Sequence, residues 1–118
     1  MRKKIFGSNP VSWVLFNLYR LSAMIVGAGK IKFRLYNIHS LKEKRTIVKS
    51  IILRIQNKFN ISIAETDFND SHDWAEIGFS VTGNDSRVVN SKLDKVINMA
   101  EDLGLAVIAD TWIEIIHL

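Results

Sequence analysis

The sequence predicts an α+β sandwich of β-α-β-β-α-β order, an antiparallel four-stranded sheet with two helices on one face. Three observations carry that reading. Apolar residues alternate with period two in four stretches, between 25 and 35, 61 and 66, 74 and 82, and 105 and 116. Two further stretches, 40–59 and 86–103, repeat their apolar residues at helical spacing. The breaks between them carry cap and turn residues at the positions where each period changes.

Taken in order, Ile31, Phe33 and Leu35 alternate with Lys30, Lys32 and Arg34, the pattern of a half-buried strand. Ser40 followed three residues later by Glu43 is a capping box that opens the first helix. Val48, Ile52, Ile55 and Phe59 hold one face of that helix, and Lys58 suits the negative end of its dipole. Ile61 and Ile63 begin a second strand running to about Thr66, and the polar run Asp67–Asp73 makes a hairpin-type connection. In the third strand Ile77, Phe79 and Val81 face one way. Gly83-Asn-Asp-Ser86 is turn and cap chemistry. Val89, Leu93, Val96, Ile97, Ala100 and Leu103 then mark a second helix, which Gly104 stops. Leu105–Ile116 is the last strand. This order is that of the ferredoxin-like split βαβ sandwich, and right-handed crossovers place the first and third strands in the middle of the sheet.

Composition narrows the function. A chain of 118 residues, 47% of them hydrophobic, is long enough for one domain with a real core. It has no cysteine, so disulfides, thiolate zinc sites and thiol nucleophiles are excluded, which fits a reducing, cytoplasmic setting. Net charge is +4 but unevenly spread. Residues 24–64 hold nine Lys and Arg against Glu43 alone, whereas residues 65–118 hold three against eleven acids. Such asymmetry points either to a charged partner or to mutual compensation between the two halves.

Residues 1–23 stand apart as an N-terminal extension to the domain at 24–118. The segment begins basic, and its apolar run Val11–Ala23 is interrupted by Asn17 and Arg20. That run is too short and too broken to span a bilayer, and only Ser22 and Ala23 hint at a signal-peptide cleavage site. An overlong gene start, with the true start at Met24, is the favoured reading. A helix covering the open sheet face and an interfacial anchor are the alternatives.

His39-Ser-Leu-Lys-Glu-Lys-Arg45, then Phe59-Asn-Ile-Ser-Ile-Ala-Glu-Thr-Asp67, then Trp74 ahead of a strand, resemble the bacterial YlxP-like family over residues 24–118. Met24-Ile-Val-Gly27 is similar to that family's usual beginning, while Ala28-Gly29 replaces a bulkier residue. The resemblance implies a small ferredoxin-like domain with no established enzymatic activity. It also implies a gene neighbourhood of translation-initiation and ribosome-maturation genes, hence RNA or the ribosome as partner.

Two basic surfaces are the candidate nucleic-acid sites. Lys42, Arg45 and Lys49 recur along one flank of the first helix, and Lys30, Lys32 and Arg34 share the strand face turned away from the helices. Trp74 and Trp112 could supply aromatic surface on that open face, but Glu76, Asp110 and Glu114 share its parity and oppose a polyanion. The helix tip is a weaker phosphate site, because Ser40 and Glu43 already occupy its donors and Glu43 adds a repelling charge; Lys42, Lys44 and Arg45 would have to compensate. In the last strand Ile108, Trp112 and Ile116 make the second face apolar as well, which suggests a homodimer packed sheet on sheet.

Catalytic constellations are poor. His39, His72 and His117 are scattered, and His72 with Asp67, Asp70 and Asp73 lacks the glycine and terminal glutamate of a calcium loop. Glu65 and Asp67, two apart on a strand, share a face without any base or nucleophile opposite, so Glu65 reads as a charged partner for the basic half. Gly27-Ala-Gly29 does not precede a helix and fails the dinucleotide-binding context. No cofactor, metal or membrane partner is expected. The expectation is a non-enzymatic ribosome- or RNA-associated factor in translation or ribosome maturation, touching RNA backbone through the helix flank. Its alternatives are a small-molecule-binding regulatory dimer and a protein–protein adaptor without RNA contact.

Overall fold

The computed structural model describes residues 24–118, so the N-terminal extension lies outside the described residues. Six elements follow in the expected order: β1 (Ile25–Arg34), α1 (Leu41–Lys58), β2 (Ser62–Asp67), β3 (Trp74–Gly83), α2 (Ser86–Asp102) and β4 (Val107–His117). The strands form one sheet in the order β2-β3-β1-β4, with every neighbouring pair antiparallel. This is the ferredoxin-like arrangement, with β1 and β3 central and β2 and β4 at the edges.

Local chemistry sets the helix ends. Ser40 is extended, and its hydroxyl accepts from the Glu43 backbone N–H at 3.1 Å. The Glu43 carboxylate reaches back as a capping box requires, but accepts from the N–H of His39, one residue ahead of the cap. Asp85 caps α2 by accepting from the Arg87 N–H at 2.8 Å. Beyond α2, Gly104 takes the left-handed conformation at φ 62° and donates to the Glu101 carbonyl. That position favours a residue without Cβ. The last strand therefore begins at Val107, two residues later than its apolar pattern suggests.

The core lies between the helices and one sheet face. Ile31 and Phe33 of β1, Ile77 and Phe79 of β3, Val48, Ile51 and Ile55 of α1, and Val89, Leu93 and Val96 of α2 are all buried there. Burying side chains of this size stabilises the fold by roughly 1.5–3 kcal/mol each before entropy is counted. Gly29 also points to this face, and the Phe79 ring fills the space its side chain would take. The small residue here is thus matched by a large ring on the neighbouring strand.

Two bulges change which residues share a face. In β2 the register shifts between Glu65, opposite Ile77, and Asp67, opposite Glu76. Ile77 faces the helices and Glu76 the open side, so the two carboxylates do not share a face as strict alternation suggests. In β4, Asp110 opposes Lys32 but Ile108 opposes Phe33, leaving Ala109 as the extra residue. Ile108 therefore turns to the helix side and packs against the core, away from Trp112.

Candidate nucleic-acid interface

Lys32, Arg34 and Lys44 of the basic half meet the acidic half directly. Lys44 is completely buried in α1, and its ammonium donates to Glu65 Oε1 of β2 and to the Phe68 carbonyl, both at 2.7 Å. Glu65 is thus the charged partner its sequence context suggested, and the cation it serves is Lys44. Lys44 is accordingly a structural residue and not part of a phosphate site at the helix tip. The clamp also fixes the β2–β3 connection. There Phe68 sits at φ 61°, a conformation that costs a bulky residue energy and needs surrounding contacts to hold it.

On the open sheet face the cations lie against aromatic rings. Lys32 Nζ stands 5.1 Å from the Phe68 ring centroid and 4.5 Å from that of Trp74. The Arg34 guanidinium lies 5.1 Å from the Trp74 centroid and 4.9 Å from that of Tyr36. The result is an alternating series, Phe68, Lys32, Trp74, Arg34, Tyr36, held by cation–π attraction. Arg34 additionally donates to the Asp73 carbonyl at 3.1 Å and pairs with its carboxylate at 3.3 Å. Lys30 is exposed and opposes Gly78 on one side and Trp112 on the other. The register sets Lys32 between Glu76 and Asp110. The structure thus brings Lys30, Lys32, Arg34, Trp74 and Trp112 together on one face, as their parity predicted. Phe68 and Tyr36 were not identifiable as members, because both lie outside the strands whose alternation assigns a face.

The α1 flank differs from both. Lys42, Arg45 and Lys49 are all exposed. Among the described residues the ion pairs are Lys44–Glu65 and Arg34–Asp73, so no carboxylate lies within 4.0 Å of these three cations. They stand on the opposite side of the sheet from Lys30, Lys32 and Arg34, and the two basic surfaces are therefore separate. Three point charges along two helical turns can meet successive phosphates, but carry no group that would read a base.

Among the described residues no group of three or more His, Asp or Glu is placed to hold a metal ion. In the loop around His72, Asp67 accepts from the Phe68 N–H and Asp73 holds Arg34. A cleft of about 660 Å³ between the C-terminal ends of α1 and α2 is lined by Lys58, Phe59, Lys95, Met99, Asp102 and neighbouring residues, and includes none of the six candidate cations. No described helix is long and apolar enough to cross a membrane.

Fold and surface together define a small ferredoxin-like domain with an exposed basic row along one helix flank. The family described as "Protein of unknown function (DUF503)" matches residues 26–113, and the chain belongs to that family. The uncharacterized protein YlxP of Bacillus subtilis (strain 168) is 38% identical over 69 residues, covering 58% of this chain and 73% of that protein. Among solved structures, the de novo designed protein Foldit4 aligns with 80% of this chain and 96% of its own at 10% identity, with a TM-score of 0.44.

Proposed function

We propose that this protein is a non-enzymatic, RNA-associated factor in translation or ribosome maturation, and that Lys42, Arg45 and Lys49 contact RNA backbone. One observation carries the reading. Lys32, Arg34 and Lys44 are engaged by aromatic rings or carboxylates, whereas Lys42, Arg45 and Lys49 form an exposed row with no such partner among the described residues. An exposed cationic row without compensating acids attracts a polyanion and releases counterions when it binds one. The gene neighbourhood implied by the family resemblance points to the same class of partner.

Co-sedimentation of the full chain with ribosomal subunits tests this. The pair Lys42→Glu and Lys49→Glu abolishes association, while Lys30→Glu on the opposite face leaves it within about two-fold. Undiminished pelleting of the double variant contradicts the assignment. Association that survives both the double variant and high salt supports a protein–protein adaptor instead.

A further inference from the structure

The two sheet edges are built differently. β2 is six residues long, mostly polar and bulged within its pairing to β3. Those are the features by which edge strands discourage further pairing. β4 is eleven residues long, carries no Lys or Pro, and pairs only with β1 among the described residues. From Asp110 to Ile116 its pairing with β1 is regular, and the bulge lies before that segment. Trp112 is 47% exposed on the open face and Ile113 is 40% exposed on the helix side, where the helices leave the edge uncovered.

We infer that the β4 edge pairs antiparallel with β4 of a second copy, about a two-fold axis through Ile113, joining two sheets into one of eight strands. The occupant and register follow from complementarity. A two-fold axis perpendicular to the sheet keeps each face on its own side, so opposed residues must have the same facing, and the axis must pass through a residue. An axis at Trp112 opposes Asp110 to Glu114, and one at Glu114 opposes that carboxylate to itself; like charges directly opposite are destabilising. An axis at Thr111 runs into the bulge at Ala109. The axis at Ile113 uses the whole regular segment. It sets Trp112 against Glu114 and Asp110 against Ile116 on the open face, and Ile113 against itself and Thr111 against Ile115 on the other. The exposed isoleucine is then covered by its own counterpart, flanked by Ile115 of each copy.

The chain contains no cysteine, so single substitutions report the register directly. Sedimentation equilibrium of the full chain should give twice the chain mass. Mild oxidation should link Ile113→Cys to itself, because directly opposed strand residues lie within disulfide reach. Thr111→Cys and Ile115→Cys should not self-link, yet should link to each other when mixed. Ile113→Lys should halve the mass while its circular dichroism stays that of the unaltered protein. A monomeric full chain overturns the inference. So does a dimer in which Ile113→Cys fails to link, the result expected if the open faces pack sheet on sheet.

Discussion

At the scale of single residues, Lys44 is the clearest case of a side chain whose role its charge conceals. Removing Glu65 leaves a fully buried ammonium with one carbonyl, so Glu65→Leu should cost about 4 kcal/mol in urea unfolding. Removing Lys44 leaves a carboxylate with partial access to water, and Lys44→Met should cost about 2 kcal/mol. The double variant should recover most of the loss, because an apolar pair of similar volume replaces the ions. Additive losses would contradict the clamp. Glu65 is legible in the sequence as a partner for the basic half, whereas charge alone sets Lys44 beside the exposed cations Lys42 and Arg45. A signal was present: Lys44 precedes Val48, Ile51 and Ile55 by four, seven and eleven residues, which places it on the buried stripe.

Among the elements, the helices were readable to within a residue or two because their ends rest on local chemistry. Ser40→Ala should destabilise α1 by about 1 kcal/mol in thermal or urea unfolding, through loss of the bond to the Glu43 N–H. An unchanged midpoint would show that the cap adds nothing. In the sheet, Gly29→Ala must displace the Phe79 ring, and should cost about 1–3 kcal/mol by the same measurement. A neutral or stabilising outcome would mean the ring can move without penalty. Strand existence and order were legible from alternation, but facing was legible only up to each bulge. The parity count placed Asp67 with Glu65 and Ile108 with Trp112, and both assignments reverse because one extra residue shifts the pleat. Bulges depend on pairing between distant segments, so no local pattern announces them.

Across the whole molecule, the charge partition has two outcomes. Part of it is internal compensation, through Lys44–Glu65 and Arg34–Asp73 between the basic first half and the acidic second. Among the cations left without a carboxylate, Lys42, Arg45 and Lys49 form a row on one α1 flank, and the central claim is that this row binds RNA. Opposite placement of the two basic surfaces makes the claim specific to one side of the fold. The most direct measurement is the affinity of the full chain for ribosomal RNA across a salt series. Three phosphate contacts predict that log K falls with log salt at a slope of about 2 to 3, and the Lys42→Glu, Lys49→Glu variant should lose that dependence together with the binding. A salt-independent affinity, or the same slope in the variant, would contradict it.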